Sequence, residues 1–288
     1  MSNLSSHIAN DSFQDMLATD INSSSVSSSS LQRIVTIARN TFREAVRDRI
    51  LYNLVIFALL MIGGSAFLGE LSADQELKVI VDMGLSAMLI FGAFIAIFVG
   101  VSLVYKEIEK RTVYAMFAKP VGRGEFLIGK YLGLCLTILV NVVVMGAGVS
   151  LALLFTKKSW DPLVLNIWGT ILLIYLELML ITAIALLFSS FSSPALSALL
   201  AFFLFIIGHF SADLKAFAEA LGSTGARWFF GALYYLLPNL SHFSFITQAA
   251  HGLVPEGKMI LSAALYATVY ICVLISAATL IFSRRNFK

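Results

Sequence analysis

The stretch MGLSAMLIFGAFIAIFVGVSLV, Met83 to Val104, carries no charged side chain and decides the class of this protein. An α-helix rises about 1.5 Å per residue and the hydrocarbon core of a bilayer is about 30 Å thick, so roughly 20 apolar residues cross it. Five further stretches read the same way: Leu51–Leu68, Tyr131–Thr156, Leu163–Phe188, Ala195–Ala212 and Met259–Phe282. Across all six, Glu177 is the one charged residue. The chain is 59% hydrophobic and 13% charged, with a mean hydropathy of +0.88. A soluble core of this length cannot hide that much apolar surface. The expected fold is an all-α polytopic membrane protein of six transmembrane helices, one membrane domain over residues 51–288.

Basic residues orient it. Lys and Arg gather in short cytoplasmic loops. Leu31–Ile50 carries Arg33, Arg39, Arg43, Arg47 and Arg49; Tyr105–Lys130 carries Lys106, Lys110, Arg111, Lys119, Arg123 and Lys130; the C-terminal tail adds Arg284, Arg285 and Lys288. The other side holds only Lys78, Lys157, Lys158, Lys215, Arg227 and Lys258. Both termini are expected in the cytoplasm and the chain in the cell's inner membrane. Residues 1–30 hold eleven serines and no apolar run, which reads as a disordered cytoplasmic tail. With no basic region leading into an apolar one there, the first span is expected to serve as an uncleaved anchor. Cys135 and Cys272 both fall within spans and read as small buried residues.

Between tail and first span, residues 31–50 place Leu31, Ile34, Val35, Ala38, Phe42, Ala45 and Val46 at helical spacing, with Arg33, Thr36, Asn40, Arg43 and Arg47 opposite. An amphipathic helix with arginines on its polar side lies at the membrane interface. It reads as a surface anchor, or as an elbow that also touches a cytoplasmic partner. The loop 105–130 is longer than a mere connection needs. Its Lys119-Pro120 break divides it into two short helical runs, because proline disfavours helix in the residue before it. Such a patterned loop suggests a docking surface.

In this loop Glu107-x-Glu109-Lys110-Arg111-Thr112, then Lys119-Pro120-Val121-x-Arg123-x-Glu125-Phe126 and Gly129-Lys130, resembles the coupling region of ABC type 2 exporter permeases. The likeness is greatest to the branch concerned with multi-copper-enzyme maturation. Leu236-Leu237-Pro238-Asn239-Leu240-Ser241-His242-Phe243 and the ending Ile281-Phe282-Ser283-Arg284-Arg285-Asn286-Phe287 are similar to that branch too. Arg111 stands where many members have glycine. The resemblance implies a transmembrane subunit that pairs with a second permease copy, with separate ATP-binding subunits beneath. It also implies that ATP-driven closure reaches the membrane through the elbow helix and this loop. Glu107, Glu109, Arg111, Thr112, Lys119, Pro120, Arg123 and Glu125 are then the coupling residues. Charge pattern alone favours residues that only solvate and orient the loop, and the resemblance reverses that preference.

Nothing points to catalysis in this chain. No GxxxxGK[ST] is present to cradle nucleotide phosphates, and no HExxH or metal-ligand cluster appears, since His7, His209, His242 and His251 are scattered. No cofactor, metal or nucleic-acid partner is expected; ATP hydrolysis would fall to the partner. In the membrane, a carboxylate at mid-bilayer costs about 2.5–3.5 kcal/mol on insertion scales, so Glu177 should face the bundle or water. It reads either as a substrate-path or proton-relay residue, or as a packing contact to Asn141, His209 or a nearby hydroxyl. Gly92, Ala96 and Gly100 form a stripe of small residues that admits another helix, within the subunit or at a dimer seam. The segment Asp213–Lys258, broken by Pro238, Gly252, Pro255 and Gly257, should lie at or dip into the outer surface, sheltered by protein. Two further functions fit the residues alone: a proton-coupled secondary transporter using Glu177, and a membrane assembly factor that moves nothing.

Overall fold

The structure is a computed structural model that describes residues 30–71, 75–109, 122–157, 162–211, 225, 231 and 237–284. Each of the six apolar stretches carries a helix among the described residues. In chain order the elements are α1 (Ser30–Val46), α2 (Arg49–Leu71), α3 (Glu76–Glu109), α4 (Arg123–Lys157), α5 (Pro162–Ser189), α6 (Pro194–His209), a 3-10 turn (Leu240–Phe243), α7 (Ile246–Ala250) and α8 (Gly257–Arg284). No strand occurs among the described residues. Among the described residues four helices, α3, α4, α5 and α8, are long and apolar enough to cross a membrane over 28, 34, 28 and 26 residues. The shorter α6, 16 residues, rises about 24 Å, less than the hydrocarbon thickness.

The fourth span, α5, is the central post. It packs against α3, α4, α6 and α8, and from Ile171 to Leu186 most of its side chains are buried. The small-residue stripe on α3 is used here, inside the subunit. A Cβ at Gly92 would lie 2.5 Å from Leu178 Cδ1, and Gly100 faces Ala185 at 3.6 Å. Outward, α4 and α8 show rows of exposed apolar residues, among them Leu132, Leu136 and Val140 on α4 and Leu261, Leu265 and Val269 on α8. In water such rows would be costly; toward acyl chains they are the expected surface.

Pro194 sits in the first turn of α6, where its missing N–H costs nothing, after the short turn from α5. Past α6, the described residues from 237 on enter the bundle. Pro238, Asn239 and Leu240 are buried, and Leu240 and the Pro238 carbonyl press on Gly208 at the end of α6. Asn239 organises the turn. Its N–H donates to Tyr266 Oη at 2.8 Å, and its Oδ1 accepts from Ser211 Oγ at 2.6 Å and from the N–H and hydroxyl of Ser241. Backbone polar groups at this depth are thereby partnered, which a non-helical segment inside a membrane protein requires. Gly252 at φ +79° then ends α7, with Leu253 N–H reaching back to the Gln248 carbonyl at 3.1 Å.

Candidate functional site

One end of the bundle, its foot, is built from α1, the first turns of α4 and the end of α8. Two glycines one turn apart, Gly129 and Gly133, open a groove on α4. A Cβ at Gly129 would stand 2.7 Å from Ile37 Cβ, and one at Gly133 only 2.5 Å from the Ala38 carbonyl oxygen and 2.6 Å from Thr41 Cβ. The rows Ile34–Ala38 and Ile37–Thr41 thus interlock with Gly129–Gly133, i to i+4 against i to i+4. The amphipathic helix read from the sequence is therefore seated backbone to backbone against a spanning helix.

At the lower edge of that contact Arg33 holds Glu125 with both arms of its guanidinium, Nε to Oε2 and Nη2 to Oε1, each at 2.9 Å. Paired, fork-shaped contact of this kind is the strongest geometry an exposed ion pair adopts. The carboxylate that accepts these bonds raises the Arg33 pKa above its ordinary value. Glu125 Oε2 also accepts from the Gly122 N–H at 3.2 Å, closing back on the start of α4 as a third-position glutamate does in a capping box. One carboxylate therefore ties the elbow, the first turn of α4 and the exit of the loop into a single corner. On the far side of α4, Arg123 Nη1 donates to the Phe282 carbonyl at 3.4 Å, and the rings of Phe126 and Phe282 stack at 6.0 Å, which fastens the end of α8. Between them Lys130 is 1% exposed, its Nζ 3.6 Å from Glu44 Oε2 and 5.9 Å from the centre of the Phe126 ring.

Of the coupling residues expected from the sequence, Arg123 and Glu125 belong to this corner. Glu107 and Glu109 stand on the last turns of α3, and their side chains are outside the described residues, as are Arg111, Thr112, Lys119 and Pro120. The two helical runs expected within the loop fall largely there too. Arg33, read as an orientation charge on the polar face, Lys130, read as an orientation charge and within the family motif, and Glu44, which the sequence did not single out, are the partners that fix the corner. The signal that could have found them is Gly129-x-x-x-Gly133 on α4, a small-residue pair at helical spacing beside a run of arginines.

The second polar locus lies mid-bundle. Glu177 on α5 is 1% exposed, and His209, the last residue of α6, brings Nδ1 to 3.5 Å from its Oε1. Neither atom makes a hydrogen bond among the described residues, although both are buried. The His209 ring meets Phe205 edge-on at 4.9 Å. Asn141 does not join them: its Nδ2 donates to the Thr137 carbonyl of its own helix at 2.8 Å. The structure thus brings together Glu177 and His209, and leaves Asn141 as a helix-internal contact. His209 faces an acid inside the bundle, which is the packing contact the sequence offered for Glu177. Because α6 ends here and the Pro238–Phe243 segment packs on that end, the pair stands at the joint between three chain segments. No group of three or more potential metal ligands occurs among the described residues.

A family model described as ABC-2 family transporter protein matches residues 35–287. The chain is also 28% identical over 245 residues to the "Probable ABC transporter permease protein NosY" of Pseudomonas aeruginosa, covering 76% of this chain and 85% of that protein.

Proposed function

This chain belongs to the ABC-2 family of transporter proteins, and from that premise we propose that it is the permease of an ATP-driven exporter powered by a separate ATP-binding subunit. The observation that carries the reading is the corner at Arg33, Glu125 and Arg123, where the elbow, the loop exit and the last span meet. A push on the loop from below would reach α1, α4 and α8 together, because each is tied to the first turn of α4. No phosphate-binding loop occurs in the sequence, so hydrolysis falls to the partner. Glu107, Glu109, Arg111, Thr112, Lys119 and Pro120 complete the docking surface in this reading, and a second permease copy completes the transport path.

The family favours this over a proton-coupled secondary transporter and over an assembly factor that moves nothing. The Glu177–His209 pair then takes the role of a gating contact at the end of α6. Orientation follows the basic residues, with both termini in the cytoplasm of a cell whose inner membrane holds the protein. Affinity purification in mild detergent tests the central claim. An ATP-binding protein should co-purify, the complex should hydrolyse ATP, and the permease alone should not. Recovery of the permease with no nucleotide-binding partner under conditions that keep it folded would count against it. For orientation, Lys258→Cys in a cysteine-free background should react with an impermeant thiol reagent in intact cells and Arg43→Cys should not; the reverse pattern overturns it.

A further inference from the structure

The face of α1 turned away from α4 is occupied by a row that the corner does not use. Arg39, Arg43 and Arg47 recur every fourth residue and all are exposed. Four residues of helix put successive guanidinium stems about 6 Å apart on one side. Their side chains make no hydrogen bond or ion pair among the described residues, in contrast to Arg33. The nearby acids do not serve them: Glu44 faces Lys130, and Asp48 follows the helix end.

Two features fix the depth of this row. On α4 the exposed apolar surface begins at Ile128 and continues through Leu132 and Leu136, and α1 is seated on that same turn at Gly129. On α2 the apolar span begins at Leu51, four residues after Arg47. The row therefore runs along the level where apolar surface gives way to polar surface. On the flank of the same helix Leu31 and Val35 are 73% and 64% exposed. Arginines beside exposed aliphatic side chains, at the boundary of a spanning bundle, match the chemistry of a headgroup region: phosphate outward, acyl chain inward.

We infer that Arg39, Arg43 and Arg47 form a binding site for anionic phospholipid headgroups, so that the elbow helix is held to the charged leaflet on one face and to α4 on the other. Phosphodiester groups supply the paired negative charge that no side chain among the described residues gives these three arginines, and mobile lipids match a row of three without requiring a fixed partner geometry. The row starts at Arg39, six residues and about 9 Å along α1 from Arg33 of the clamp, so membrane charge would load the element that the proposed coupling step moves.

The test uses the full chain, purified into nanodiscs from an equimolar mixture of phosphatidylglycerol and phosphatidylcholine. Lipid retained after re-extraction into neutral detergent is quantified by headgroup. The wild type should retain phosphatidylglycerol preferentially. Arg39→Gln, Arg43→Gln and Arg47→Gln combined should lower the ratio about tenfold, and each single variant about twofold, because each cation near the leaflet adds its own attraction. The three positions changed to Lys should keep most of the preference, and Lys258→Gln, an exposed charge at the opposite end of α8, should leave it untouched. If the triple glutamine variant does not fold, the single variants carry the same expectation. A wild-type ratio in the triple or single variants overturns the site. A triple variant that keeps the ratio but fails to capture an ATP-binding subunit in pure phosphatidylcholine nanodiscs also overturns it, and gives the row to a protein partner instead.

Discussion

The foot of the bundle and its middle each bring an acid to a base across two helices, and the two meetings are built differently. Arg33 and Glu125 meet through two 2.9 Å bonds at a corner that water reaches, where the charges keep their solvation and the geometry is forked. Glu177 and His209 meet at 3.5 Å through buried atoms that make no hydrogen bond among the described residues. The first arrangement is a fastener. The second is a poorly closed contact in a place where burying charge is costly unless it is paired and hydrogen-bonded, and a slight rotation would change it. The backbone follows the same division. At the foot, glycine lets a helix touch the carbonyl of another; mid-bundle, Gly92 only makes room for the tip of Leu178.

The largest effect should come from the foot. In Gly133→Val the new Cβ would start 2.5 Å from the Ala38 carbonyl oxygen and 2.6 Å from Thr41 Cβ, and neither backbone can move without unseating α1. The expected loss is about 3 kcal/mol, the upper part of the usual overpacking range. It should appear as a lower melting temperature in detergent, or as failure to accumulate in the membrane. A wild-type melting curve would show that the elbow is not seated in this groove.

Next comes the middle pair. Removing both polar groups, as Glu177→Leu with His209→Phe, takes away a buried acid and base and leaves apolar packing. Such exchanges are often neutral or stabilising, here by up to about 2 kcal/mol. The double variant should therefore melt at or above the wild type, while ATP turnover of the reconstituted complex loses its response to substrate. Glu177→Gln, which keeps the shape, should likewise alter transport more than stability. A double variant that melts well below the wild type makes the pair structural. Normal transport by Glu177→Gln across a range of pH excludes a proton role.

Why one locus was legible in the sequence and the other was not follows from the same contrast. The spans were readable because a charge-free run of about 20 residues has few alternatives, whatever packs beside it. Glu177 stood out because it interrupts such a run. Its partner stayed one of several, Asn141, His209 or a hydroxyl, since a histidine on another helix could face any of its neighbours. Arg33 and Glu125 are 92 positions apart, so charge counting assigned them a side of the membrane and no contact. The glycine stripe on α3 could be read from spacing, but its use by α5 rather than by a second copy depends on how the helices are arranged. The family motif pointed to the loop, and the family it named is the one matched across residues 35–287.

A smaller effect belongs to Gly92→Ala. The Cβ would overlap Leu178 Cδ1 at 2.5 Å, but that atom is the end of a flexible side chain and Cγ is 3.5 Å away. A change of rotamer relieves it, at less than about 1 kcal/mol. Thermal melting of Gly92→Ala beside Gly133→Ala measures the difference between meeting a side-chain tip and meeting a backbone. Equal losses would mean that the α3–α5 seam is as rigid as the foot.

The smallest change in stability, and the most informative about coupling, should come from reversing the fastener. Glu125→Arg alone faces Arg33 with a like charge and removes the acceptor from the Gly122 N–H. Arg33→Glu alone leaves two carboxylates facing each other. Either single change should open the corner between elbow and loop exit, with the permease still inserted and melting close to the wild type. Combining them restores an opposite pair in the same place, although arginine at position 125 cannot accept from Gly122. If the corner transmits force, each single variant should bind the ATP-binding subunit yet lose substrate-stimulated turnover, and the double variant should regain a substantial part of it. Arg123→Ala with Glu125→Ala, which unfastens α1 and α8 together, should uncouple without rescue. A charge-reversed pair no more active than its single parents would remove the Arg33–Glu125 contact from the coupling path, because local repulsion alone would then not explain the loss.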